Sequence, residues 1–153
     1  DFVLPERLGA TYIDQKGEKK NPVMLHRAIL GSMERWLGIL IEQYSGRFPL
    51  WLTPVQVFVC TITEKANEYA LGLIKELENN NIRCDIDLRN EKIGYKIREH
   101  SENGCPIILI VGEKEKDGNS VAIRRLGSNN QDFKLFKDFI QEIKVETKPP
   151  DLV

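Results

Sequence analysis

The pattern of apolar and polar positions changes character near residue 50. From Val55 to Ile62 the chain is a dense apolar, β-branched run, suited to a strand buried on both faces. Glu64 to Asn79 then carries Ala66, Tyr69, Ala70, Leu73, Ile74 and Leu77 at helical spacing, and three asparagines stop it. Ile82, Cys84, Ile86 and Leu88 alternate with Arg83, Asp85 and Asp87, which predicts a strand with one wetter face. A short helix is expected from Glu91 to about His100, with Ile93 and Ile97 inward. Gly104-Cys105-Pro106 turns into a second fully apolar strand, Ile107 to Val111. Lys116 to Asn119 reads as a turn, and Val121 to Leu126 as a strand that pairs back. A last helix from about Phe133 to Lys144 is expected to bury Phe133, Phe136, Ile140 and Ile143, before a tail with Pro149 and Pro150.

Strands alternating with helices imply an α/β domain: a mixed, mostly parallel sheet flanked by helices, with one antiparallel strand from the final pairing. The first 44 residues do not fit that scheme. Ala10 to Ile13, a polar turn around Gly17, and Pro22 to Leu25 predict a strand pair. Met33 to about Tyr44 predicts a helix with Ser32 as its N-cap and Met33, Trp36, Leu37, Leu40, Ile41 and Tyr44 on one face. The expected division is therefore 1–44, a linker at 45–50, the α/β domain at 51–145 and a tail at 146–153.

Composition narrows the function classes. With 41% hydrophobic and 29% charged residues in 153, the chain can bury a sizeable core. A net charge of -1 excludes wholesale cationic attraction to nucleic acid, so any RNA contact must come from a local patch. Cys60, Cys84 and Cys105 sit in or beside apolar runs without a CxxC pair, as reduced, buried, cytoplasmic thiols do. No stretch approaches the roughly 18 apolar residues of a membrane span. Thr63-Glu64-Lys65, after the first buried strand, is not a Gly-rich phosphate loop, which counts against a small-molecule-binding α/β domain unrelated to RNA.

Four segments carry a family resemblance. The run His26-Arg27-Ala28-Ile29-Leu30-Gly31-Ser32-Met33-Glu34-Arg35 resembles motif 3 of class II aminoacyl-tRNA synthetases, in the form found in threonyl-tRNA synthetases. Trp51 to Val57, Asp87 to His100 and Val111 to Glu115 resemble that family's C-terminal domain, in the same order and spacing, and Asp1 to Leu8 looks like its stretch before motif 3. The resemblance implies a parent enzyme, a cytoplasmic homodimer, that joins threonine to its tRNA through an adenylate made with ATP and magnesium. Residues 1–44 would be the end of its antiparallel-sheet catalytic domain, and 51–145 its anticodon-binding domain. Motifs 1 and 2 would lie before Asp1, so this chain alone is expected to be catalytically inactive. A free-standing RNA-binding or regulatory module of the same fold is the alternative; Ser32 and Arg35, parts of an adenylation motif, count against it.

The resemblance also implies roles. His26 matches one of three zinc ligands that grip the amino and hydroxyl groups of threonine; its companions would lie upstream, and no metal is expected on this chain alone. A lone His at the end of an apolar strand is otherwise structural. Ser32 would lie beside the threonyl substrate as well as capping its helix. Arg35 would stack on the adenine of ATP and touch its phosphates, for which a planar, permanently charged guanidinium is suited. Asn90, Glu115 and Arg124 match anticodon contacts: an amide or carboxylate can read base edges, and an arginine can bond guanine bidentately. Residue by residue, Glu115 also reads as a turn residue in a charged run, and Arg89, Lys92, Lys96 and Arg98 as a solvated helix face with Lys96 available to phosphate. Ser101 to Cys105 lacks the basic residues that better-known members carry there, which puts that one anticodon contact in doubt.

Overall fold

The computed structural model describes residues 1–128 and 130–150. It divides into two compact units, Asp1–Leu40 and Ile41–Val153.

In the first unit a short helix, α1 (Leu4–Arg7), precedes a hairpin of β1 (Tyr12–Ile13) and β2 (Lys19–Lys20). Tyr12 pairs with Lys20 and Ile13 with Lys19, antiparallel. The expected second strand at 22–25 is not one. The Asp14 carboxylate accepts from the backbone N–H groups of Lys16 and Glu18 at 2.8 and 3.0 Å, which closes the turn within 14–18 and brings the return strand forward to 19–20. The helix α2 (Met33–Tyr44) has the expected bounds. Ser32 Oγ accepts from the Arg35 backbone N–H at 3.2 Å, which is the predicted N-cap. No residue of α2 is buried.

The second unit is the α/β domain. Its strands are β3 (Val57–Thr61), β4 (Cys84–Asp87), β5 (Ile107–Val111), β6 (Ser120–Arg125) and β7 (Gln131–Leu135). Its helices are α3 (Asn67–Asn79), α4 (Ile93–Glu102), α5 (Glu113–Asp117) and α6 (Phe136–Glu146), with a 3₁₀ turn at Glu64–Ala66 ahead of α3. The sheet order is β4-β3-β5-β6-β7. β3 is parallel to β4 and β5, while β6 and β7 run antiparallel. The sheet is mixed, as the element order implied, but it has two antiparallel joins rather than one.

Alternation along the strands makes two cores. Val57, Val59, Leu109, Val111, Val121 and Ile123 point to the face covered by α3 and α6. Phe58, Cys60, Ile108, Ile110 and Ala122 point to the other, which α4 covers through Ile93 and Ile97. The second core is smaller and leaves part of its face for polar groups. The α3 stripe predicted from sequence is the one buried, and α3 stops where Asn81 takes a left-handed φ of 58°.

In this unit two elements were not foreseen, as α1 was not in the first. Residues 113–117 form α5, and 131–135 form the edge strand β7, where the helix was expected to begin. Phe133 therefore lies on β7 and is 66% exposed, not in the core, while Phe136, Phe139, Ile140 and Ile143 of α6 are buried. Of the expected tail, residues 151–153 lie outside those described.

Candidate nucleic-acid interface

The α4 face begins with a buried charge network. Asp87, at the end of β4, is 4% exposed, and Lys96 and His100, one turn apart on α4, are 1% and 8% exposed. Asp87 was expected on a wet face and Lys96 on a solvated one; both are interior. The reason is register: α4 turns Lys96 and His100 towards the sheet together with Ile93 and Ile97. Arg89 grips both carboxylate oxygens of Asp87, Nε at 3.0 Å and a terminal nitrogen at 2.6 Å. His100 Nε2 lies 2.9 Å from Asp87, and its ring stacks on Phe58 with centroids 3.7 Å apart. The Lys96 ammonium donates to the backbone carbonyls of Thr61 and Asp87 at 3.0 and 3.1 Å. Burial alone would push the Asp87 carboxyl up. The hydrogen bonds from Arg89 and His100 outweigh it and hold the group well below the usual carboxylate range.

Cys60, Asp87 and His100 have the composition of a metal site, with donor atoms within 4.8 Å of one another. Their surroundings oppose one. Asp87 already faces a guanidinium and an ammonium, and burial pushes the Cys60 thiol up to about 12, so the thiolate a metal needs is absent near neutrality. This cluster ties β3, β4 and α4 together on either side of the loop that carries Asn90.

The three expected base readers do not fall together. Asn90 is exposed in the loop between β4 and α4, and Glu115 is half-buried on α5, just past β5. Both loops leave the carboxyl ends of parallel strands, hence one edge of the sheet. Arg124 pairs with Ile108, towards the amino end of β5, nearer the other edge. Arg124 shares the α4 face with Ala122, since the alternate residues Val121 and Ile123 face α3 and α6. The Glu115 carboxylate also has structural work: it accepts from the Gly112 backbone N–H at 2.9 Å at the start of α5.

Of the basic segment, Arg89 is committed to Asp87 and Glu99, and Lys96 is buried, which leaves Lys92 and Arg98 exposed. Arg98 lines an open groove of about 790 Å³ between α4, the end of β6 and the linker. Arg124, Arg47 and the Ser101–Gly104 turn complete it. A lone charge in a linker gives no periodic signal, so Arg47 was not singled out from sequence.

In the first unit Ser32 and Arg35 are exposed at the start of α2. His26 Nε2 lies 3.0 Å from Asp1 Oδ2, and no three-ligand group among the described residues includes it. A zinc site needs at least three protein ligands, so the residues present do not form one around His26.

Comparison with known proteins agrees with this architecture. Residues 56–146 match the family described as "Anticodon binding domain", and residues 1–44 match "tRNA synthetase class II core domain (G, H, P, S and T)". The chain belongs to the anticodon-binding domain family of the class II tRNA synthetases. Its curated relatives include the threonine–tRNA ligases of Bartonella tribocorum, 55% identical over 152 residues, and Phenylobacterium zucineum, 53% identical over 152 residues. Each match covers 99% of this chain and 23% of the relative, so the chain spans about a quarter of their length. The RNA binding domain of threonyl-tRNA synthetase from Cryptosporidium parvum Iowa II superposes on all of the chain and 39% of its own, with a TM-score of 0.77 and 32% identity. Prolyl-tRNA synthetase from Cryptosporidium parvum, at 17% identity and a TM-score of 0.64 over 94% of this chain and 31% of its own, shares the fold.

Proposed function

We propose that the α/β unit recognises the anticodon loop of threonine tRNA, within a threonine–tRNA ligase that forms threonyl-tRNA from threonine, ATP and tRNA. The observation that carries the reading is the match of residues 56–146 to the anticodon-binding family, on a sheet whose α4 face presents Arg98 and Arg124. In this reading Asn90, Glu115 and Arg124 read base edges. Their spread over two edges of the sheet fits an unstacked loop whose bases point apart. Lys92 and Arg98 replace Lys96 as candidates for phosphate contact.

Residues 1–44 contribute Ser32 and Arg35 to adenylation in the complete, dimeric enzyme. Arg35 would hold ATP, which magnesium accompanies, and Ser32 would meet threonine while capping α2. His26 would supply one imidazole towards a zinc site of the complete enzyme. No helix among the described residues is long and apolar enough to cross a membrane; a cytoplasmic site of action follows from the proposed chemistry.

The test is a titration of the chain against the threonine anticodon stem-loop and one with a scrambled anticodon. The expected result is tighter binding of the matching loop. Arg124→Ala should lose about 1–3 kcal/mol on the matching loop and little on the other. Equal binding of both loops by the unaltered chain would overturn anticodon reading.

A further inference from the structure

The groove on the α4 face brings together cations from three separate elements. Arg98 comes from α4, Arg124 from β6, and Arg47 from the turn after α2, all within the second unit. Arg47 lies outside both matched regions, which end at residue 44 and resume at 56. It is not a loosely hung side chain. Ser45 and Gly46 take left-handed φ values of 50° and 73°, which turn the chain off the end of α2. The Gly46 N–H donates to the Ile41 carbonyl at 3.0 Å and the Arg47 N–H to the Tyr44 carbonyl at 2.9 Å. Just beyond, the Thr53 hydroxyl bonds the carbonyls of Phe48 and Pro49 at 3.3 and 3.0 Å, and the Tyr44 and Phe48 rings meet at 6.0 Å. The backbone thus delivers Arg47 to the groove wall, where its side chain is exposed and makes no hydrogen bond or ion pair among the described residues.

The lining states what the groove would take. Three guanidiniums face one acid, Glu102, whose carboxylate is 3.5 Å from Arg98 and is highly exposed. Ser101 and Asn103 add neutral hydrogen-bonding groups to the lining. Charged and polar side chains outnumber the apolar ones, Ile97 and Leu126, in the lining, which suits a polyanion better than a protein partner, whose docking needs a desolvated apolar centre. The groove is open rather than enclosed, so it suits a passing chain of phosphates better than a sequestered small anion.

We propose that the side of this groove formed by Arg47 and Arg98 holds the sugar–phosphate backbone of the anticodon loop, beside the base read by Arg124, and that Arg47 is one of the phosphate contacts, adding affinity without choosing bases. The proposal rests on the anticodon reading above and extends the interface into the linker. A guanidinium stays charged at any working pH, so the contact depends on salt and not on pH.

The test compares the unaltered 153-residue chain with Arg47→Gln and Arg47→Lys, by fluorescence anisotropy across a potassium chloride series. Both the matching and the scrambled stem-loops are used. Arg47→Gln should weaken both loops by a similar factor of several-fold. It should also make the dependence of log affinity on log salt shallower by about 0.7–0.9, the value of one phosphate contact. Arg47→Lys should keep most of that slope. Thermal unfolding should be unchanged, because the side chain has no partner among the described residues to lose. If Arg47→Gln matches the unaltered chain in affinity and slope while the chain still prefers the matching loop, this inference alone falls. A loss confined to the matching loop would make Arg47 a base reader and overturn it as stated. If inorganic phosphate at equal ionic strength displaces RNA from the unaltered chain but not from Arg47→Gln, the groove is a small-anion site and the backbone assignment falls. If the unaltered chain prefers neither loop, anticodon reading fails first.

Discussion

At the scale of single residues the informative pair is Lys96 and Asp87. A lysine on a helix with Lys92 and Arg98 reads from sequence as solvated. Yet Lys96 is 1% exposed, with two backbone carbonyls on its ammonium. Removing a partner from such a buried network strands the others. Lys96→Ala should therefore cost about 3–5 kcal/mol in urea unfolding and leave the salt dependence of RNA binding unaltered. Asp87 adds a pH signature. Its folded pKa is depressed, so its contribution is fully present above the unfolded value of about 3.9 and is lost as pH falls below that, towards the lower folded value. Stability of the unaltered chain should fall on acidification below about pH 4. Asp87→Asn should be less stable at neutrality and show a flatter acid limb over that range. An acid limb of the same steepness in the variant would assign the loss to other carboxylates.

At the scale of elements, what was legible was whatever had a hydrophobic pattern. β3 and β5 were readable as short continuous apolar runs, which burial on both faces of a sheet requires, and α3 and α2 as apolar positions at helical spacing. β7 was misread because Phe133, Phe136, Ile140 and Ile143 happen to keep helical spacing across a boundary. The break is at Leu135, whose extended φ and ψ of -62° and 139° begin α6. α5 was invisible because Glu113-Lys114-Glu115-Lys116-Asp117 has no apolar residue, and a cap holds it instead. The same logic covers the site. Asn90, Glu115 and Arg124 were nameable only through family likeness, and the Asp87 network through no local signal, since its members come from separate elements. Glu115 tests cap against reader. Glu115→Ala should destabilise the domain by about 1 kcal/mol through the lost bond to Gly112. Glu115→Gln keeps an acceptor oxygen and should be nearly neutral in thermal unfolding. If both variants lose preference for the matching loop, the carboxylate reads a base. If only the alanine variant loses it, Glu115 acts by holding α5 alone.

At the scale of the whole molecule the two units differ in how they could be stable. The α/β unit has a buried centre on both faces of its sheet. The first unit has almost none: within 1–40 only Pro5 is buried, Leu25 is 90% exposed, and Phe2, Ile13, Ile29, Met33 and Leu37 are exposed as well. A helix of about 12 residues with no buried face is marginal by itself in water, because nucleation and ordering entropy are not repaid by packing. The match of residues 1–44 to a class II core domain supplies a reason: its apolar positions suit packing against the remainder of such a core. Hydrogen exchange on the 153-residue chain should separate the units. Amides of β3 and β5 should exchange only through global unfolding and slow to the full stability of the domain. Those of β1, β2 and most of α2 should show little protection, and denaturant at concentrations well below the main transition should not change them. Protection across 33–44 equal to that of β5 would mean that the first unit is stable without a core of its own, and that its apolar positions need no further packing.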